Sequence, residues 1–291
     1  MTENGALMKG KRGLVMGVAN DHSIAWGIAR MLKAHGAELA FTYQGEAQAK
    51  RLRRLIASNA TLMLPGDVEK DDELDAAFAT LKKEWDGIDF LVHAIAFSDK
   101  NELTGRYVDT SRANFARSLD ISCYSFTAVA QRAAQLMTPP AQGGTGGAMV
   151  TLTYLGANRV MPNYNVMGVA KAALEASVRY LAADLGRDGI RVNAISAGPM
   201  RTLAGSAVGD ARTVFKWNKT HSPLKRNIEL DHVGGSALYL LSDLSGGVTG
   251  EVHFVDAGFN VVGMPPTADL KGWNAPESGS EGETGNARAD A

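Results

Sequence analysis

Short runs of strand-forming apolar residues alternate with amphipathic stretches of helical length along most of this 291-residue chain. After the first run, at residues 13–17, the apolar residues Ile24, Ile28, Met31 and Leu32 recur at helical spacing. Such alternation predicts βαβ units, whose strands pair in parallel. With seven runs of this kind, we expect a single α/β domain of Rossmann type. Its doubly wound, seven-stranded parallel sheet would be flanked by helices.

The predicted elements leave one long loop and a tail. Strands are expected at residues 13–17, 38–43, 61–64, 89–95, 148–153, 191–196 and 251–255, and helices at 24–35, 46–58, 71–85, 114–137 and 231–241, with one more helix carrying Tyr164 after the fifth strand. Residues 198–230 have no clear period beyond one short helix near 211–219, and a loop this long usually forms a lid or binding loop. From about residue 265 the sequence is rich in Gly, Ser, Glu and Asn, which predicts a disordered tail.

Composition excludes several classes of protein. A net charge of −1 with no basic stripe argues against a nucleic-acid binder. The apolar runs are far shorter than a membrane-spanning helix requires, and the first ten residues show no signal-peptide core, so we expect a cytoplasmic protein. Cys123 is the single cysteine, which excludes an intrachain disulfide, and the six histidines show no metal-ligand spacing, so no metal is expected.

The loop after the first strand has the ingredients of a dinucleotide site but lacks the usual G-x-G-x-x-G sequence. Gly17 allows a sharp turn, Ser23 stands at a helix N-cap, and Gly27 permits close packing of that helix on the sheet. Free N–H groups at a helix start favour a pyrophosphate. A plain capped loop remains the alternative.

Two later segments bear on the adenosine half of a dinucleotide. Gln44 follows the second strand, and Glu46 would repel a 2′-phosphate, which favours NADH over NADPH. Arg51, Arg53 and Arg54 follow on the helix and leave the preference open. Asp67, with Val68 after it, either holds the adenine edge or serves only as the first residue of a turn.

Tyr164 and Lys171 are separated by nearly two helical turns, so both side chains are expected to leave from one face of the helix. Helical side chains lean towards the N-terminus, which brings the ammonium back towards the phenol. A cation near a phenol lowers its pKa and makes it a better proton donor or oxyanion partner. The spacing alone is weak, but its position after the fifth strand of such a fold favours a catalytic pair.

Several segments resemble the FabI-type enoyl-[acyl-carrier-protein] reductases, which are divergent short-chain dehydrogenase/reductases. The segments are GVANDHSIA at 17–25, FTYQ at 41–44, TYLGA at 153–157, PNYNVMG at 162–168 and NAISAGPMRTLA at 193–204. The similarity covers residues 9–264, which would make 1–264 the dinucleotide-binding catalytic domain and 198–230 its substrate-binding loop.

The resemblance implies hydride transfer from NADH to C3 of a trans-2-enoyl thioester, the last step of each fatty acid elongation cycle. Tyr164 would stabilise the enolate oxygen with Lys171 beside it, Tyr154 would line the acyl pocket, and Ser98 matches a substrate-side position. Cofactor contacts would fall on Gly17, Ser23, Ile24, Gln44, Asp67, Val68, Ile95, Lys171, Met200, Arg201, Thr202, Leu203 and Ala204. The family also implies a homotetramer and an acidic acyl carrier protein, which Arg201, Arg212, Lys216 and Lys219 could meet.

Two departures from the short-chain reductases that act on ketones support this interpretation. Those enzymes carry a serine thirteen residues before the tyrosine, where this chain has Thr151. They also carry Asn-Asn-Ala-Gly after the fourth strand, where this chain has His93, Ala94, Ile95 and Ala96. A 3-ketoacyl or other carbonyl reductase, and a non-catalytic dinucleotide sensor, remain the alternatives.

Overall fold

The computed structural model describes residues 6–56, 61–138, 140–202, 211–264 and 266. Its strands are β1 (Arg12–Met16), β2 (Glu38–Tyr43), β3 (Met63–Pro65), β4 (Phe90–His93), β5 (Gly147–Thr153), β6 (Ile190–Ala197) and β7 (Val252–Val255). Its main helices are α1 (Ile24–Ala34), α2 (Gly45–Leu55), α3 (Asp71–Trp85), α4 (Arg112–Leu119), α5 (Ser125–Ala134), α6 (Asn165–Leu185), α7 (Ala211–His221) and α8 (Leu230–Leu241).

The seven strands form one parallel sheet in the order β3-β2-β1-β4-β5-β6-β7. This confirms the predicted Rossmann-type fold. The chain reverses its direction of winding between β1 and β4, and ligands of such sheets bind at that point, outside the carboxyl ends of the strands. The loops after these two strands therefore meet where a dinucleotide is expected.

Alternating side chains of each strand supply two separate cores. In β1, Val15 packs with α1 and α8 on one face, whereas Leu14 and Met16 pack with α3, α5 and α6 on the other. All three residues are fully buried. Both faces of a parallel sheet are covered by helices in this way, which explains why the strands read as nearly continuous apolar runs.

Close packing at Gly27 joins two helices, not a helix and the sheet as the sequence suggested. A Cβ added to Gly27 would lie 2.7 Å from the Cβ of Leu230, at the start of α8. At the next contact, a Cβ on Gly234 would lie 3.0 Å from the Cβ of Met31. The backbones of α1 and α8 thus approach more closely than any larger residue would allow at these points.

The predicted helix at 114–137 is the largest error among the elements. It begins earlier, where the Ser111 hydroxyl caps α4 by accepting the N–H of Asn114. It is interrupted by a π-helical turn at Asp120–Tyr124 and resumes as α5. Within that turn Ser122 accepts the backbone N–H of Phe97 and donates to its carbonyl, both at 2.9 Å. The irregular turn therefore ties the helix to the loop after β4.

Smaller differences concern element ends. The fourth strand ends at His93, so Ile95 lies in a loop and not in the strand as predicted. The third strand is shifted to Met63–Pro65, and α2 ends at Leu55. The predicted short helix in the long loop is confirmed as α7, while residues 203–210 and the predicted tail, apart from residue 266, lie outside the described residues. No helix of the described part is long and apolar enough to cross a membrane.

Candidate functional site

One large cleft of about 1760 Å³ opens at the carboxyl ends of the strands. Every predicted site residue that the structure describes lines it: Gly17, Ser23, Ile24, Gln44, Asp67, Val68, Ile95, Ser98, Tyr154, Tyr164, Lys171, Met200, Arg201 and Thr202. The predicted contacts Leu203 and Ala204 lie outside the described residues. A cleft of this size and position is large enough for a dinucleotide together with a substrate.

Gly17 forms the turn between β1 and the cleft, as the sequence predicts. Its φ of 96° lies in the left-handed region, and an added Cβ would be 2.1 Å from the carbonyl oxygen of Ala94. Any larger residue would be strained by its backbone and would collide with the loop after β4. Because Gly17 has no side chain, the backbone of its turn can approach the loop after β4, at the point where the sheet changes its direction of winding.

Ser23 is the N-cap residue of α1, but its hydroxyl does not cap the helix. It accepts the backbone N–H groups of Ala19 and Asn20, each at 3.0 Å, and so closes the preceding loop. The Ser23 hydroxyl therefore makes no capping hydrogen bond to the first-turn N–H groups of α1. N–H groups at a helix start favour an anion such as pyrophosphate. This arrangement, with the room that Gly17 leaves, fits a nicotinamide dinucleotide.

The start of α2 is fastened to the loop after β1. The backbone N–H of Gln44 donates to the side chain of Gln48 at 2.6 Å, and the Gln48 amide donates to the carbonyl of Val18 at 2.9 Å. Further along α2, Glu46 and Arg53 form an exposed ion pair at 2.7 Å. Arg53 is one of the three arginines that left the choice between NADH and NADPH open. It is already paired with Glu46, the residue predicted to repel a 2′-phosphate.

Asp67 fits both alternatives that its sequence left open. Its carboxylate accepts the N–H of Glu69 at 3.2 Å, as a turn residue does, and its backbone N–H donates to Glu73. Its side chain also lines the cleft beside Val68. The turn hydrogen bond holds the carboxylate at the cleft wall, so a structural role does not exclude a contact with adenosine.

Tyr154, Tyr164 and Lys171 all line the inner end of the cleft. Tyr154 follows β5, and its ring centre lies 5.0 Å from that of Tyr164 in an edge-on arrangement with an interplanar angle of 72°. Lys171 is only 5% exposed, and its ammonium donates to the carbonyl of Leu152 at 2.8 Å. The structure thus places the two tyrosines in contact and Lys171 in the lining of the same cleft.

Tyr164 precedes α6 as its N-cap residue, where the sequence suggested that it opens the helix. Its neighbours Asn163 and Asn165 have φ values of 56° and 37°, in the left-handed region that asparagine tolerates better than most residues. The Asn165 amide donates to the carbonyl of Glu102 at 3.1 Å. The phenol is therefore presented by a bent segment that is tied to the loop after β4.

The pKa of Tyr164 moves in the direction opposite to the one predicted. Burial raises its pKa, and the nearby Tyr154 and Glu175 raise it further, whereas we expected Lys171 to lower it. Burial likewise raises the pKa of Tyr154 to about 12 and lowers the pKa of Lys171 to about 8. Desolvation disfavours every charged form here. The phenol is accordingly a protonated hydrogen-bond donor, not an incipient phenolate.

The position that holds serine in ketone-reducing relatives is withdrawn from the cleft. Thr151 is fully buried within β5, and its hydroxyl lies 3.0 Å from Nδ1 of His93. His93 is also bonded to the Ser125 hydroxyl at 2.9 Å, and burial lowers its pKa to about 3. A neutral imidazole and a threonine hydroxyl therefore satisfy each other inside the core, whereas Tyr154 contacts the ring of Tyr164 edge-on.

Sequence reasoning missed the polar side chains behind the loop after β4. Ser98 is held there by Asn114 at 3.3 Å and by the Ser118 hydroxyl at 3.0 Å. Arg117 contacts both oxygens of Glu69 at 2.9 Å and lies 4.5 Å from the centre of the Phe97 ring. Arg117 lines the cleft, yet nothing in its local sequence distinguishes it from an ordinary exposed helical arginine.

A basic face lies at the mouth of the cleft. Arg212, Lys216 and Lys219 are exposed on α7, at spacings of four and three residues that place them on one side of a helix. Arg201 lies over the ring of Phe215 at 5.1 Å. The four cations named from the sequence thus belong to α7 or to the segment that contacts it.

Comparisons with known proteins agree with this geometry. Residues 17–260 match a family model described as enoyl-(acyl carrier protein) reductase. The enoyl-[acyl-carrier-protein] reductase [NADH] 2 of Rhizobium meliloti (strain 1021) is 62% identical over 91% of this chain and 97% of its own length.

Two solved structures are similarly close. FabI from Candidatus Liberibacter asiaticus is 56% identical with a TM-score of 0.85, covering 90% of this chain and 99% of the other. The enoyl-(acyl-carrier-protein) reductase from Anaplasma phagocytophilum, solved in complex with NAD, is 56% identical with a TM-score of 0.85 over 91% and 100%.

Proposed function

The chain belongs to the NADH-dependent enoyl-[acyl-carrier-protein] reductase family, and from that membership we propose how its cleft carries out the reaction. The enzyme reduces the trans-2 double bond of enoyl thioesters with NADH, in the last step of each fatty acid elongation cycle. The observation that carries the proposed mechanism is the pairing of Tyr154 with Tyr164, while Thr151 is bonded inside the core.

NADH, when bound, would supply a hydride to C3 of the enoyl group, and C2 of the resulting enolate would afterwards take a proton from water. As the double bond is reduced, negative charge develops on the thioester oxygen, and Tyr164 stabilises it by donating its hydroxyl hydrogen bond. The raised pKa of Tyr164 suits this role, because the phenol stays protonated at neutral pH. Tyr154 packs against that ring and lines the acyl side of the cleft, where Ser98 contacts the substrate.

Lys171 holds the ribose of the cofactor through its ammonium, which Leu152 orients. Gly17 and the α1 start after Ser23 receive the pyrophosphate, and Gln44, Asp67 and Val68 hold the adenosine. The remaining cofactor contacts fall on Ile24, Ile95 and the segment Met200, Arg201, Thr202, Leu203 and Ala204. The exposed Glu46–Arg53 pair supports a preference for NADH, since Glu46 stands two residues after Gln44, which is proposed to contact the adenosine, and engages a cation that a 2′-phosphate could use.

The decisive experiment compares electron acceptors. The purified protein with NADH should reduce crotonyl-CoA and longer enoyl thioesters, with NADPH assayed in parallel and supporting a lower rate. Activity on acetoacetyl-CoA alone would instead identify a 3-ketoacyl reductase. Tight NADH binding with no turnover of either acceptor would identify a dinucleotide sensor.

We also propose the partners of this enzyme. The basic face of α7 suits an acidic acyl carrier protein that delivers the substrate, because Arg212 and Lys216 line the cleft and are exposed on one side of α7 together with Lys219. A homotetramer is supported by large apolar side chains exposed along the α4–α5 and α6 helices, among them Tyr124 at 58% and Tyr180 at 76%. The proposed site of action is the cytoplasm, which holds NADH.

A further inference from the structure

Glu175 is a buried acidic residue on α6, one turn beyond Lys171, and the proposed mechanism does not use it. It is 5% exposed. One of its carboxylate oxygens accepts the hydroxyl of Thr153 at 2.8 Å, and the other accepts the side-chain amide of Asn158 at 2.8 Å. A buried carboxylate is costly unless it is hydrogen-bonded in this way. Both oxygens are therefore committed to specific partners.

The two partners stand at opposite ends of the segment that carries Tyr154. Thr153 is the last residue of β5, and Asn158 follows the 3₁₀ turn Leu155–Ala157. One carboxylate thus fastens both ends of a short turn to the same point of α6. The residue before Thr153 is Leu152, whose carbonyl accepts the ammonium of Lys171.

The fastened turn is also the surface on which the catalytic phenol lies. A Cβ added to Gly156, in the middle of the turn, would be 2.3 Å from Cδ1 of Tyr164. A Cβ on Gly168 of α6 would be 2.8 Å from the carbonyl oxygen of Gly156. Since Tyr154 contacts the same phenol ring edge-on, any displacement of this turn displaces the surroundings of both tyrosines.

We propose that Glu175 is a positioning residue, which fixes the turn between Thr153 and Asn158 so that Tyr154 and Tyr164 keep their catalytic arrangement. This inference rests on the proposed function of Tyr164. It explains why a carboxylate is buried where an apolar residue would fill the space without a desolvation penalty. The same negative charge raises the pKa of Lys171 against the effect of burial and favours the neutral Tyr164 phenol.

The test uses Glu175→Met, which keeps the length of the side chain and removes both oxygens that hold Thr153 and Asn158, whereas glutamine could still bond to both. We expect kcat with crotonyl-CoA to fall about tenfold to a hundredfold, because small misplacements of catalytic groups have effects of this size. The dissociation constant for NADH, measured by fluorescence titration at about pH 6, should stay within about twofold, because at that pH the Lys171 ammonium stays protonated even though its pKa of about 8 falls without the Glu175 charge. Glu84→Met, the same change at an exposed position of α3, is the matched control and should leave kcat unchanged.

Two further variants test the same link without altering the buried charge. Thr153→Val removes the hydroxyl at nearly constant shape and should lower kcat in the same way, whereas Thr153→Ser restores the hydroxyl and should recover most of the rate. Asn158→Ala removes the second partner. Combined with Glu175→Met, Thr153→Val should add little further loss, because Glu175→Met already removes the acceptor of the Thr153 hydroxyl.

The outcomes separate this inference from the proposed function. If the wild-type protein does not reduce crotonyl-CoA, the proposed function fails before Glu175 is considered. If the wild type is active and folded Glu175→Met and Thr153→Val keep their kcat, the positioning role is overturned. A raised dissociation constant for NADH with unchanged kcat would also overturn it, because Glu175 would then act on cofactor binding.

Discussion

The inner end of the cleft and its outer rim carry polar groups in opposite physical settings. At the inner end, formed by Tyr154, Tyr164 and Lys171, burial displaces all three pKa values. At the outer rim, formed by the Glu46–Arg53 pair and the basic face of α7, the side chains are solvated, with those of Glu46 and Arg53 75% and 55% exposed. Electrostatic interactions are strong and poorly screened in the first setting, and weak and sensitive to salt in the second.

Because of this difference, we expect the inner end to govern catalysis and the outer rim to govern the binding of the cofactor's adenosine end and of the carrier protein. Substitutions at the inner end should reduce kcat by orders of magnitude at any ionic strength. Substitutions at the rim should change KM by smaller factors that shrink as salt is added.

The largest effect is expected from Tyr164→Phe. Removing one hydrogen-bond donor to a developing oxyanion typically lowers kcat by about 10²- to 10³-fold. NADH affinity, measured by titration, should change little, since the phenol acts on the substrate oxygen. Tyr107→Phe is the control, because that side chain is 48% exposed and lies outside the cleft lining. Unchanged turnover in Tyr164→Phe would remove this tyrosine from the mechanism.

A smaller effect is expected from pH. Burial lowers the pKa of Lys171 to about 8, so its ammonium is present below that pH and is lost as the pH rises through it. The value of kcat/KM for NADH, which reports the free enzyme, should therefore fall about tenfold per pH unit on the alkaline side. Lys171→Arg keeps its charge at these pH values and should abolish the alkaline limb. A limb that persists in this variant belongs to another group.

The smallest effect is expected from reversing charge at the rim. Arg212→Glu combined with Lys216→Glu should raise KM for an acyl-carrier-protein substrate about tenfold at low ionic strength, and less at high salt. KM for crotonyl-CoA should stay the same, because the inner end is unaltered. Lys83→Glu on α3, an exposed cation outside the cleft lining, is the control. An equal rise for both substrates would contradict a carrier-protein contact at α7.

Much of the fold could be predicted because strand and helix periods are local properties of the sequence. The seven parallel strands and α7 follow from them, and the resemblance supplied residues that the structure places in one cleft. The π-helical turn at Asp120–Tyr124 could not be predicted. Its irregularity depends on Ser122 bonding the backbone of Phe97, 25 residues away in the sequence. Local periodicity carries no sign of such a contact.

The candidate site shows the same limit. The spacing of Tyr164 and Lys171 indicated a pair on one helix, but the effect on the phenol pKa was predicted with the wrong sign. Proximity in sequence suggested an attractive charge, whereas burial by residues from several elements is the larger effect. Glu175 was missed for a related reason. Its partners Thr153 and Asn158 belong to a different element, and one more glutamate on a helix is usually solvated.

The glycine contact between α1 and α8 has a consequence for how the protein responds to its ligand. The helix whose first turn is proposed to receive the pyrophosphate is braced along its length by a helix that lies far along the chain. Cofactor binding that steadies α1 would therefore also reduce local opening of α8, although α8 contacts no part of the ligand in the proposal. Slower amide hydrogen exchange should then spread from the nucleotide loop into α8, so that the two helices gain protection as one cooperative unit.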